Sequence, residues 1–265
     1  MRIGFIGLGN MADAIIGGLL SKEMIAPQDI LGYAKTQATR EKRAKQYGIT
    51  IADNNCEVAA NSDVLFLAVK PIFMSEVIAE IKDFVRPNAL IISIAAGKPI
   101  AFFEEEFGIE DLKIVRSMPN TPAMVGEGCT GYCANANVSA EEMALAGRLL
   151  SSFGKAHCVP ERLMDVVGAV SGSSPAFVFL FIEALADGAV AGGMPRVQAY
   201  EFAAQAVMGS AKLMLETKQH PGVLKDMVCS PGGTTIEGVR TLEECGLRAA
   251  VMDAVEAVLE KTKQL

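Results

Sequence analysis

Two short stretches of the chain combine residue types and spacings that could do chemistry. The first is Gly7-Leu8-Gly9-Asn10-Met11-Ala12. Glycine at its first position permits a tight turn, and glycine at its third leaves no side chain in the path of a pyrophosphate. The small alanine lets a helix pack closely on a strand, so the stretch is the G-x-G-x-x-A form of a dinucleotide fingerprint. Backbone N–H groups of Asn10 and Met11 would then face the phosphates at a helix N-terminus. The second stretch is Ser230-Pro231-Gly232-Gly233-Thr234-Thr235. N–H groups opening a helix there can hold a carboxylate, and the two glycines let a ligand come close to the backbone.

The nucleotide is specified further along. Enzymes that take NAD normally end their second strand with an Asp or Glu that binds the ribose hydroxyls. This chain has Tyr33-Ala34-Lys35-Thr36 at that point, with Arg40 one helical turn on. Lys35 and Thr36 suit a 2′-phosphate that an acid would repel, so NADPH is the expected reductant, with NADH possible. Three more loops should lie at carboxyl ends of strands, where open α/β sheets bind ligands: Ala68-Val69-Lys70-Pro71, Ile94-Ala95-Ala96-Gly97-Lys98, and Arg116 to Pro122. The small residues of the first two would admit a flat nicotinamide ring.

Positioning these loops requires alternating strands and helices. Strands are expected at 2–6, 30–33, 49–51, 64–69, 90–94, 113–116 and 131–133. Val64 to Val69 is a continuous apolar run, as in a strand covered on both faces. Helical spacing runs over 11–20, 39–47 (closed by Gly48) and 73–84. The alternation implies an open, mostly parallel, Rossmann-type sheet. From Leu163 onward the patterning is almost entirely helical. Ser174-Pro175 and Ser230-Pro231 have the form of helix starts, and Gly192-Gly193 with Pro195 separates two long helices. A dinucleotide-binding domain over 1–160 and a helical domain over 161–265 follow. The later helices are apolar on more than one side, which favours a dimer interface.

A net charge of −7 and the lack of a clustered basic patch argue against nucleic acid. The densest basic stretch, Arg40 to Lys45, reads as a solvated helix face. The most apolar stretch, Ala176 to Ile182, is interrupted by Glu183 and Asp187 and reads as a buried helix, not a membrane span. Six scattered cysteines without a Cys-x-x-Cys pair, and only two histidines, make a metal site improbable and suggest buried, reduced thiols in a cytoplasmic protein.

Over its whole length the sequence resembles the pyrroline-5-carboxylate reductases. The resemblance is carried by GFIGLGNMA (4–12), SDVLFLAVKP (62–71), PNTPAMVGEG (119–128), VSGSSPAF (170–177) and HPGVLKDMVCSPGGTTIEGV (220–239). It implies NAD(P)H-dependent reduction of 1-pyrroline-5-carboxylate to L-proline, and homodimers or multiples of dimers. It further implies that Gly7 to Ala12 form the pyrophosphate loop, that Lys35 and Thr36 meet the adenosine ribose, and that Asn55 is a ribose contact. Ala68, Val69, Lys70 and Pro71 with Ala95, Ala96 and Gly97 would cradle the nicotinamide. Glu161, Gly233, Thr234 and Thr235 would border the substrate. The chain departs from the family pattern at Thr234, where members often carry Ala, and at Met227, where some carry Asn.

The substrate so implied has a carboxylate and a C=N bond. Thr235 would hydrogen-bond the imine nitrogen, but a hydroxyl is a poor general acid because its pKa lies far from neutral. Positioning should therefore dominate, with the proton coming from solvent or an already protonated iminium. Glu161 and His220 are further acid candidates, each equally readable as a surface or structural group. One alternative is another two-domain reductase such as a 3-hydroxy-acid dehydrogenase, which needs a lysine on the long helix. Pro175 to Gly193 has none. The other is a catalytically silent nucleotide-binding regulator, against which the intact SPGGTT segment speaks.

Overall fold

The computed structural model describes residues 1–264. They form two compact units, residues 1–173 with the chain from 259 onward, and residues 174–258.

The first unit is built on one eight-stranded sheet: β1 (Ile3–Ile6), β2 (Ile30–Tyr33), β3 (Thr50–Ile51), β4 (Val64–Leu67), β5 (Leu90–Ser93), β6 (Lys113–Met118), β7 (Gly128–Ala134) and β8 (Gly154–Cys158). The order across the sheet is β3-β2-β1-β4-β5-β6-β7-β8. Every pairing is parallel except that between β6 and β7. Its helices are α1 (Asn10–Ser21), α2 (Gln37–Tyr47), α3 (Asn55–Ala60), α4 (Met74–Ile81), α5 (Ile100–Phe107), α6 (Ala140–Leu150) and α7 (Met164–Val167).

Alternation along the strands makes two cores. Ile3, Phe5, Val64, Phe66, Leu90 and Ile92 pack with α1 and α6. Ile6, Leu65, Leu67 and Ile91 pack with α3, α4 and α5. Both faces are thus apolar, which is why β4 reads as an unbroken apolar run. The expected strand over 64–69 stops at Leu67, releasing Ala68 and Val69 into the loop. Helix α2 ends at Gly48, whose φ of 69° is the left-handed cap that glycine adopts without penalty. Between Gly128 and Ala134 lies one polar group that the core does not serve. The Thr130 hydroxyl is fully buried and has no hydrogen-bond partner among the described residues. Thr130→Val keeps the shape and removes that unmet group, so it is expected to stabilise the fold by about 1 kcal/mol. Thermal unfolding checks this, and a lowered midpoint would refute it.

Several readings of the sequence are corrected here. Arg116, Ser117 and Met118 are strand residues of β6, not loop. Arg43 is 4% exposed and is no part of a solvated face. Of the six free cysteines only Cys133 is buried; burial, with Glu161 nearby, pushes its thiol up to about 11. An α-helix does begin at Ser174, as expected, but no break precedes it, because helical chain runs from Glu161 to Ala191. It passes through a π-helical segment, Gly168–Ser173, just before the proline. Proline brings no N–H for the carbonyl four residues earlier, that of Ser171. Asn120 Nδ2 donates to that carbonyl at 3.1 Å, while Asn120 Oδ1 accepts from the Cys129 N–H at 2.9 Å.

The second unit contains α8 (Ser174–Ala191), α9 (Arg196–Thr217), α10 (Pro221–Val228), α11 (Thr234–Glu244) and most of α12 (Leu247–Thr262). Its own core is slight: Ala186, Ala199 and Ala203, with Ile182, Ala189, Val190 and Met194 against them. Large apolar side chains stand exposed instead, among them Phe179, Leu180, Phe202, Leu215 and Met252. The segment Ala176 to Ile182 is therefore not buried within the chain. The helix carrying it is long and apolar enough to cross a membrane by length and composition alone, a test that core helices of soluble proteins also pass.

Candidate active site

The loop expected to meet the phosphates begins where β1 ends. Gly7 has φ 94°, and its N–H donates to the Tyr33 carbonyl at 2.9 Å, tying the loop to the end of β2. A Cβ on Gly7 would sit 2.6 Å from the Ala68 carbonyl oxygen, so the position admits glycine alone. Leu8 is buried and fills the gap left by Gly32, where a Cβ would come within 2.8 Å of the leucine. Gly9 is the N-cap of α1, with no side-chain cap and nothing within 4 Å of where its Cβ would be. Asn10 and Met11 follow as the first helical residues, and Ala12 is buried against the sheet. An uncapped helix N-terminus beside open space fits a dinucleotide pyrophosphate.

The loop is braced from behind by residues that the sequence did not single out. Arg43 Nη1 lies 2.6 Å from Asp13 Oδ1, and its Nε donates to the Leu8 carbonyl at 3.3 Å. Tyr47 donates its hydroxyl to the same carboxylate at 2.7 Å; burial, then that bond, pushes the phenol up to about 12. An acid in the first turn of α1, facing a cation on α2, was the only signal available.

At the end of β2, Lys35 Nζ stands 3.0 Å from Glu76 Oε1 and 5.3 Å from the centre of the Phe73 ring. Arg40 Nη1 donates to the carbonyls of Ala34 and Lys35 at 2.6 and 3.2 Å, and its guanidinium lies over Tyr33. Thr36 is the N-cap of α2, its hydroxyl donating to that of Thr39 at 2.7 Å. Asn55 opens α3, is 5% exposed and donates through Nδ2 to Glu80 Oε2 at 2.7 Å. Ala68, Val69, Lys70 and Pro71 leave β4; Ala95, Ala96 and Gly97 leave β5, with Gly97 at φ 72°. Since β2, β1, β4 and β5 are neighbours, these loops gather along one edge of the first unit.

Glu161 also belongs to the first unit. Its Oε1 accepts from the Ile100 N–H at 2.7 Å and from Arg116 Nη1 at 3.3 Å, while Arg116 Nη2 reaches Asp165 at 2.6 Å. A guanidinium only 7% exposed explains both carboxylates, since a buried charge needs partners.

In the second unit Ser230-Pro231 forms a turn, not a helix start. The Gly233 N–H donates to the Ser230 carbonyl at 3.0 Å, with Pro231 and Gly232 (φ 68°) at the corners. Proline then glycine at those positions is the pattern of a type II turn. Helix α11 begins after it, with Gly233 as N-cap and no side-chain cap; Thr234 and Thr235 are its first two residues, both exposed. Thr235 is thus not a capping residue. His220 is: its Nδ1 accepts from the Gly222 N–H at 3.1 Å and starts α10. Met227 is exposed on α10.

The sheet and its open glycine loop, followed by a helical unit rich in exposed apolar residues, have the architecture of a dinucleotide-dependent oxidoreductase. Residues 2–97 match the family model described as NADP oxidoreductase coenzyme F420-dependent, and residues 161–265 match that of pyrroline-5-carboxylate reductase dimerisation. The pyrroline-5-carboxylate reductase of Escherichia coli K12 is 50% identical over 264 residues, covering 100% of this chain and 98% of its own. That of Methanosarcina acetivorans is 43% identical, covering 100% and 97%. The crystal structure of Plasmodium falciparum pyrroline carboxylate reductase with NADP bound superimposes with a TM-score of 0.90 at 36% identity, covering 100% and 97%. The chain belongs to the pyrroline-5-carboxylate reductase family.

Proposed function

We propose that this chain reduces 1-pyrroline-5-carboxylate to L-proline with NADPH, and that NADH can replace it. The observation that carries the substrate side is the uncapped N-terminus of α11 behind a Pro-Gly-Gly turn, with two exposed threonine hydroxyls. Bound NADPH supplies the hydride. The residues of this chain do the rest. The N–H groups of Thr234 and Thr235 hold the substrate carboxylate at the positive end of the helix, and Gly233 lets it come close to the backbone. The Thr235 hydroxyl is the catalytic contact, hydrogen-bonded to the imine nitrogen and orienting the C=N bond. As hydride adds to the carbon, the π pair passes to nitrogen, which takes its proton from solvent or arrives as the iminium. Glu161 borders the substrate as an acceptor, fixed by Ile100 and Arg116, not as a proton donor. Ala68 to Pro71 and Ala95 to Gly97 flank the nicotinamide, and Lys35, Thr36 and Asn55 hold the adenosine ribose.

The chain is further read as a homodimer, or a multiple of one, in the cytoplasm. The slight core and exposed apolar side chains of the second unit support self-association, as does the dimerisation family matched by residues 161–265. One preparation tests both readings. Sedimentation should give a dimer or larger, and absorbance at the NADPH band should fall only when pyrroline-5-carboxylate is added. A fully active monomer would overturn the assembly, and unchanged absorbance the reaction.

A further inference from the structure

The end of β2 lacks the acid that binds ribose hydroxyls in NAD enzymes, yet a carboxylate stands there all the same. It is Glu76, third residue of α4 and 41 positions from Lys35 in sequence. Its place in the first turn suits the helix dipole, which holds a negative charge there. Lys35 Nζ is 3.0 Å from it, and the Phe73 ring underlies the ammonium. Both charged side chains are about two-thirds exposed, at 67% and 65%, so the pair is weak and can exchange partners.

We infer that Glu76 is a specificity-determining residue which, through its pair with Lys35, keeps the nucleotide site open to both NADH and NADPH. This rests on the reading that Lys35 meets the 2′-phosphate. A phosphate monoester carries about −1.5 to −2 charges. To take Lys35 it must displace Glu76 or share the ammonium with it, and in either case it meets a like charge. A 2′-hydroxyl meets the opposite situation, because it can donate a hydrogen bond to Glu76. The same carboxylate therefore penalises one nucleotide and favours the other. Glu80, one turn further along α4, holds Asn55 in the same way through its amide. The row thus restrains two of the expected ribose contacts, Lys35 and Asn55.

The test is binding, without imine. The chain has no tryptophan, so the emission of NADPH and NADH can be titrated against wild type, Glu76→Gln, Lys35→Gln and Glu105→Gln. The last removes an equal charge from the exposed side of α5. Glu76→Gln should raise the NADPH preference, read as the ratio of dissociation constants, about five- to tenfold, the scale of one charge near a protein surface. Lys35→Gln should lower it, and Glu105→Gln should leave it within about twofold. An unchanged ratio in Glu76→Gln beside a lowered one in Lys35→Gln overturns the role of Glu76 alone. An unchanged ratio in Lys35→Gln overturns the placement of the phosphate, and the inference with it. An equal shift in Glu105→Gln reduces the effect to net charge and also overturns it. None of these outcomes depends on the imine reaction, whose failure would show only in turnover.

Discussion

Thr235→Ala is expected to lower kcat and kcat/KM together, on the order of ten- to a hundredfold. A hydrogen bond to a group whose charge changes in the transition state is worth about 1.5–3 kcal/mol, and each 1.36 kcal/mol is tenfold in rate. An interaction made mainly in the transition state depresses both constants equally. The structure removes the competing explanation that the residue merely caps a helix. Gly233 occupies the N-cap of α11, and Thr235 is its second helical residue, exposed to solvent. The alanine variant should therefore unfold within about 0.5 kcal/mol of the parent, as surface substitutions do. Thr235→Ser retains the hydroxyl and should keep most of the activity. Thr234→Ala should be mild, because the backbone N–H serves the carboxylate there. Steady-state kinetics and thermal unfolding on one preparation decide the matter. Full turnover in the alanine variant would end the catalytic claim.

The second large effect concerns Gly9. Its backbone (φ −72°, ψ −170°) is extended, a conformation any residue adopts, and a Cβ there meets nothing within 4 Å. Gly9→Val should consequently fold, losing at most about 1 kcal/mol through the poorer N-cap. The new methyl groups would occupy the space proposed for the pyrophosphate. NADPH affinity should fall on the order of a hundredfold, or about 2.7 kcal/mol. Gly7 offers no such separation, because its positive φ and the nearby Ala68 carbonyl would strain the fold at the same time. Titration of NADPH emission is the measurement. An unaltered dissociation constant in a folded Gly9→Val protein would place the pyrophosphate elsewhere.

Much of the first unit was legible because its signals are local. Val64 to Leu67 is apolar on both faces and lies between two cores. Gly7 and Gly9 announce a turn and an open approach at fixed offsets. Ser139 and Glu142 form a capping box at the start of α6, a local signal that was present and passed over. What escaped reading was carried by pairs distant in sequence. Lys35 invites a phosphate, but nothing beside it announces Glu76. Arg43 sits among lysines and glutamate on a polar helix, and only the fold brings it to Asp13 and the Leu8 carbonyl. Pro175 does stand at the start of an α-helix, as its missing N–H suggests, but the sequence carries no sign that helical chain precedes it. Here Asn120 supplies the lost donor to Ser171, and the helix continues. The proposed adenosine end of the site is thus half legible, since its cation is local and its counter-charge is not.

The place of β1 between β2 and β4 also orders events during synthesis. The strand and its glycine loop are made early, but the partner on the other side comes much later; Arg2 and the Asp63 carboxylate that accepts its N–H are 61 residues apart. At about 5–20 residues per second the ribosome needs roughly 3–12 s to cover that distance. Over that interval Ile3, Phe5 and Ile6 have one edge unpaired, the exposure that invites association between nascent chains. The Gly7 turn rests against the Ala68 carbonyl, so the nucleotide loop cannot settle until residue 68 has been added. Cofactor can then hold the loop only after that point, and slow translation between β2 and β4 lengthens the interval in which this edge stays unpaired.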